Sequence, residues 1–147
     1  MKLLPLFIAV FSSAFLCSCG FNSAYNKAVT VYEAAEYKAP SGPWQGTWTT
    51  NTNGHSGDLR AIVTPSSDEP GEYDFRYHAT WGKIFSGSYT VSYDVDRRGN
   101  RYFVNGEENL GFFGRFGHKA IIDNDAFEAT FSSEDGDLGD FSLRRPE

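Results

Sequence analysis

The sequence predicts an all-β fold, an eight-stranded antiparallel meander closed into a barrel and preceded by a short helix or tether. Three observations carry this. From Trp44 to Arg145 the apolar residues recur with period two in short runs, broken by Gly-, Asn-, Asp- and Ser-rich turns. No helical stretch separates any pair of runs, so no crossover is available for parallel strands. Eight strands with one apolar and one polar face remove their exposed edges most economically by closing on themselves.

The elements follow in order. Strand one is Trp44–Thr50. Strand two is Asp58–Thr64, with Leu59, Ala61 and Val63 on one face. Strand three places Tyr73, Phe75, Tyr77, Ala79 and Trp81 on one face and Asp74, Arg76, His78 and Thr80 on the other. Strand four sets Tyr89, Val91, Tyr93 and Val95 against Ser88, Thr90, Ser92 and Asp94. Asp96–Asn100 reads as a turn, and strand five as about Arg101–Asn105. Gly106–Gly117 reads as irregular, followed by strand six near His118–Ile122. Strand seven sets Phe127, Ala129 and Phe131 inward, and strand eight Phe141 and Leu143.

Before the barrel the chain reads as delivery and spacing. Lys2 followed by the apolar run Leu3–Leu16 is a secretory signal pattern. It is too short to span a bilayer comfortably, which takes roughly 20 apolar residues. Its end, Leu16-Cys17-Ser18-Cys19, resembles the bacterial lipoprotein signal. That resemblance implies cleavage after residue 18 and acylation of Cys19, for example by palmitate. The implied location is the cell envelope, anchored by lipid and facing the periplasm or the exterior. Residues 1–18 are then a signal peptide, 19–43 a spacer and 44–147 the barrel domain. In the spacer, Asn22 or Ser23 can cap a helix carrying Ala24, Ala28, Val31 and Ala35 at helical spacing. Pro40-Ser41-Gly42-Pro43 stops it. A spacer of this length would let the domain tumble on its anchor.

Charge and cysteine count narrow the function. The formal net charge is −6 over 147 residues. Loss of residues 1–18 removes Lys2 and no acid, which makes it −7. An acidic chain argues against nucleic acid, whose binding is driven by Lys and Arg on phosphate. With Cys19 acylated no cysteine pair remains, so no disulfide is expected.

Gly46-Thr47-Trp48 resembles the G-x-W motif of the calycin superfamily, the lipocalins and avidins. The similarity to avidins extends through Asn51, Gly54, Ser56, Leu59 and Ile62. It implies a small ligand-binding barrel with Gly46, Trp48, Trp44 and Arg145 as structural motif residues. Calycins place an arginine of the last strand over the motif tryptophan, so Arg145 is expected on Trp44 or Trp48. In avidins an Asn, a Ser and later tryptophans hold biotin. Here the turn is longer and no tryptophan follows Trp81, so the resemblance does not extend to that ligand.

An eight-stranded barrel holds either a packed core or one small ligand. Nine large rings point inward: Tyr73, Phe75, Tyr77, Trp81, Tyr89, Tyr93, Phe127, Phe131 and Phe141. The turns at the end opposite the chain termini carry Ile84, Phe85, Leu110, Phe112 and Phe113, an apolar rim. The expected binding residues are therefore Tyr73, Tyr77, Trp81, Ile84, Phe85, Tyr89, Tyr93, Phe112 and Phe113. The expected partner is an apolar small molecule or lipid. Alternatively, a filled barrel meets an envelope protein through its rim. Catalysis is not supported. His55, His78 and His118 lack metal-ligand spacing, Gly54-His55-Ser56-Gly57 is no nucleophile elbow, and Glu134, Asp135, Asp137 and Asp140 lack the spacing of a calcium loop. No cofactor or metal is implied.

Overall fold

The computed structural model describes residues 20–34, 37–82, 84–109 and 114–147. The signal region, Cys19 and the rim residues Leu110, Phe112 and Phe113 lie outside these. The described chain is a helix, α1 (residues 20–33), and eight antiparallel strands in a closed barrel of meander order. They are β1 (Gly42–Thr50), β2 (Ser56–Pro65), β3 (Glu72–Trp81), β4 (Phe85–Arg98), β5 (Arg101–Asn109), β6 (Arg115–Ile122), β7 (Ala126–Ser133) and β8 (Leu138–Arg144). Each strand pairs with the next, and β1 closes on β8 from Gln45↔Arg144 to Thr50↔Gly139.

Several strands run further than the period-two pattern predicts. The expected turn Asp96–Asn100 is mostly ladder, since Val95↔Val104 to Arg98↔Arg101 are paired and only residues 99–100 turn. The segment expected to be irregular after Asn105 continues as β5 to Asn109, paired with β6. Glycines break the side-chain alternation there without breaking the backbone ladder, and it is the ladder that defines the strand.

The motif glycine has a packing reason. A Cβ on Gly46 would stand 2.0 Å from the Ser142 carbonyl oxygen and 3.0 Å from Leu143 Cα. Any larger residue would therefore pry β1 from β8 at the closing seam. Gly106 serves β5 in a related way. The ladder between β4 and β5 is formed below Val95, and where the two strands run on unpaired the Tyr93 ring lies over Gly106. A Cβ there would meet Tyr93 Cδ1 at 2.3 Å. An aromatic ring over a glycine thus covers the seam that backbone pairing leaves open.

The two barrel ends differ. At the end where β1 starts and β8 finishes, Trp44, Val63, Phe75, Ile122, Phe127 and Leu143 are buried and fill the interior. Trp44 packs edge-on against Phe127 at 5.6 Å and donates its indole N–H to the Pro40 carbonyl at 2.9 Å. Arg145 closes this end. Its guanidinium stands 3.7 Å from the Trp44 ring centroid and 4.9 Å from that of Tyr32, and donates to the Pro43 and Asn124 carbonyls. Of the two tryptophans open to it, Arg145 meets Trp44, which lies nearer along the strands; Trp48 lies further up the barrel.

Residues 20–33 are not a free tether. Phe21, Tyr25 and Ala28 are buried on the outer wall with Ile62 of β2. Phe21 stacks on His78 at 4.9 Å and 18°, with Arg60 and Arg76 over its ring at 5.6 and 5.4 Å. Asn22 does not start the helix. The helix already includes Gly20, and the Asn22 side chain accepts from Arg60 at 2.8 Å. His78 points outward as its strand parity requires, yet α1 covers it. Since Phe21 sits over mid-β2 and Tyr32 over Arg145, the helix runs from mid-wall toward the filled end.

Candidate functional site

The interior is filled at one end only. At the other end a cavity of about 340 Å³ opens toward the turns β1–β2, β3–β4 and β7–β8. Its walls come from the inward positions of nearly every strand: Trp48, Leu59, Tyr77, Ala79, Trp81, Tyr89, Val91 and Tyr93 on one side, and Phe116, His118, Phe131 and Phe141 on the other. Thr50, Asn53, His55 and Asp137 stand among the lining at the turns. A wider depression of about 930 Å³ spans β1 and β4 to β8 and includes the outward polar residues Thr47, Lys119, Glu128 and Asp140. Its lining mixes polar and apolar surface more evenly, and the more apolar cavity inside the barrel is the better ligand site.

Polar groups punctuate the apolar wall. Tyr77 is fully buried, and its hydroxyl lies 3.4 Å from His118 Nε2. Burial first, then the neighbouring Tyr89 and Tyr93, push its pKa well above the usual tyrosine value. His118 is 6% exposed, stacks on Phe141 at 5.4 Å and has no hydrogen-bond partner at Nδ1. Burial pulls its pKa down to about 4, so the ring is neutral at pH 7. Tyr93 is 6% exposed, and its pKa is pushed up to about 12 by burial and then by Glu108. Tyr89 is 37% exposed, but that surface lines the cavity. Its phenol is accordingly raised above the ordinary range by burial first and Tyr93 second. Tyr77, Tyr89, Tyr93 and His118 are thus held in their uncharged forms, because an apolar surrounding disfavours charge.

The rim is defined by its exposed apolar residues. Ile84 is 84% and Phe85 58% exposed, Leu138 at the start of β8 is exposed at the same end of the barrel, and Phe85 stacks on Trp81 at 6.4 Å. The β1–β2 turn is pinned to β8, with the Asn51 amide donating to Asp140 at 2.8 Å and the Leu138 N–H donating to Thr52 at 3.1 Å. The Thr50 hydroxyl also meets the Asn53 side chain. These bonds fix one side of the mouth.

Of the residues expected from the sequence, Tyr77, Trp81, Tyr89 and Tyr93 line one cavity, and Ile84 and Phe85 stand at its rim. Tyr73 is not among the lining. It lies at the start of β3, at the filled end, packed against the core. Phe112 and Phe113 fall outside the described residues. His118 is the residue that sequence reading missed. Its parity with the buried Ala120 and Ile122 was the available signal, obscured by Gly114 and Gly117 before it. Among the described residues no group of His, Cys, Asp or Glu could hold a metal ion, and no helix is long and apolar enough to cross a membrane.

No family model matches the chain, and no curated protein matches it. Among solved structures the chain is similar to a de novo designed fluorescence-activating β-barrel, with a TM-score of 0.51, 18% identity, 72% of this chain covered and 93% of that one. The likeness is one of fold, an eight-stranded antiparallel barrel closed as a meander.

Proposed function

We propose that the protein is a non-catalytic binding protein that takes a small, largely apolar molecule into the open half of its barrel, and that it does so as a lipid-anchored protein of the cell envelope. The observation that carries the reading is the cavity: about 340 Å³, enclosed by apolar walls, with a few convergent polar groups at Tyr77, Tyr89, Tyr93 and His118. Small-molecule sites have this character. The fold's likeness to a fluorescence-activating designed barrel agrees with this, and at 18% identity it transfers no contact. The lipid anchor rests on the Leu16-Cys17-Ser18-Cys19 pattern alone.

The test fills the cavity. A neutral environment-sensitive dye such as Nile red should gain fluorescence with the wild-type barrel. Ala79→Trp, which puts an indole into the lining, should abolish the gain while the Tm stays within a few degrees. A dye response unchanged by Ala79→Trp would show that the dye binds elsewhere, and the reading would fail. The exposed Ile84, Phe85 and Leu138 favour a second reading, contact of the rim with an envelope protein. That contact would survive Ala79→Trp.

A further inference from the structure

The charges around the mouth bear on what enters it. Resting on the reading that the cavity holds a small molecule, we propose that its ligand is an organic cation, an amine with an apolar or aromatic body, and not a carboxylate such as a fatty acid.

The first support is the sign of the rim. Among the described residues Asp137 is the one Asp, Glu, Lys or Arg lining the cavity. Glu107 and Glu108 at the end of β5, and Glu134 and Asp135 in the β7–β8 turn, are at the same end of the barrel. Among the described residues of these two turn regions the facing cation is Arg115, and it is already drawn to Glu107, 4.0 Å away. Lys83, in the β3–β4 turn, lies outside the described residues. A low-dielectric cleft with one sign of charge at its mouth concentrates ions of the opposite sign.

The second support is independent of the acids. Below the rim, the rings of Trp81, Tyr89, Tyr77 and Tyr93 line one space, with Tyr77 and Tyr89 centroids 5.2 Å apart. The face of an aromatic ring carries negative potential and attracts a cation, and ammonium groups are recognised in this way. Among the described residues the cavity lining holds no Lys or Arg to meet a carboxylate. His118 within the wall is neutral, and charging it there is costly. Tyr93 is nine-tenths buried with Glu108 close enough to act on its phenol, which ties the acidic rim to the ring wall. An ammonium seated between Asp137 and these rings, its apolar body toward His118 and Phe141, satisfies both features. A carboxylate would meet repulsion at the mouth and no donor charge inside.

The experiment uses three probes that differ only in the head group: 4-phenylbutylamine, 4-phenylbutanol and 5-phenylpentanoate, titrated by calorimetry at pH 7. The amine should bind at least tenfold more tightly than the alcohol, the carboxylate should bind most weakly, and the amine's advantage should shrink as salt rises. Asp137→Asn should remove at least threefold of the amine's affinity and leave the alcohol's unchanged, with Glu108→Gln acting in the same direction. Glu69→Gln, which makes the same charge change at the opposite end of the barrel, should leave all three unchanged. Equal binding of amine and alcohol, or tighter binding of the carboxylate, would overturn this inference while leaving the cavity reading in place. Loss of amine affinity in Glu69→Gln equal to that in Asp137→Asn would also overturn it, since net charge alone would then be acting. Binding of none of the three would overturn both.

Discussion

His118 and Arg145 show how differently two polar residues can be used in one barrel. Arg145 keeps its charge at the filled end by lying on Trp44 and donating to backbone carbonyls, and partial burial lowers its pKa to about 10. This contact was legible in the sequence, because Arg145 shares the parity of Phe141 and Leu143 and closure places it beside Trp44. His118 gives up its charge instead. Its folded pKa of about 4 lies below the usual 6.5, so between these values the unfolded chain binds a proton that the folded chain does not. Stability is then full above pH 6.5 and falls as the pH drops toward 4. At about 1.4 kcal/mol per unit the group accounts for a loss of order 3 kcal/mol. His78, also lowered, by burial and Arg60, acts in the same direction. Urea unfolding at pH 7.5 and 4.5 should show the loss, and His118→Phe, which fits among Phe75, Phe141 and Tyr93, should remove most of the pH dependence. An unchanged pH dependence in that variant would place the effect at His78 or at carboxylates.

At the scale of elements, the strands were legible and the helix contact was not. Period-two alternation in β3, β4 and β7 comes from one face meeting the core, so their inward sets read directly from the sequence. The ends of β4 and β5 were hidden because Gly106 and the charged run Asp96–Arg98 carry no alternation while their backbones still pair. The docking of α1 was hidden for another reason. The wall that receives it, Arg60, Ile62, Arg76 and His78, reads as the polar outer face of two strands. What makes that face a docking site is stacking: Phe21 covers the His78 ring, and the two guanidiniums flank it. Phe21 is fully buried, so Phe21→Ala should cost about 3 kcal/mol, the scale of a buried ring truncation. It should also let the His78 pKa, followed by NMR, return upward toward its ordinary value. A loss below about 1 kcal/mol with an unmoved His78 would show that α1 adds nothing to the wall.

At the scale of the whole molecule the barrel is polarised. It is filled and capped by Arg145 at one end, and open, acidic and apolar-rimmed at the other. The sequence showed which side chains face inward, but not that they fill half of the space. Filling depends on how Trp44, Phe75 and Phe127 interlock, which alternation does not encode. The helix changes how an anchored barrel would sit. A free spacer leaving at Trp44 would hang the barrel from its filled end with the mouth directed away from the bilayer. With α1 docked, the described chain begins against the wall at Gly20, level with mid-β2, and Cys19 is the residue immediately before it. An acyl chain on Cys19 would therefore hold the barrel close to the membrane by its β2–β3 wall, with little slack. No described helix is long and apolar enough to span a bilayer, and on the proposed reading the acyl chains would supply the attachment. Cys19→Ala should move the protein from the membrane to the soluble fraction on fractionation, while Cys17→Ala leaves it bound. The released Cys19→Ala protein should keep the wild-type Tm, because Phe21, Tyr25 and Ala28, which dock α1, are unchanged. Release by Cys17→Ala instead would relocate the acylated residue, and membrane retention of both variants would exclude acylation as the means of attachment.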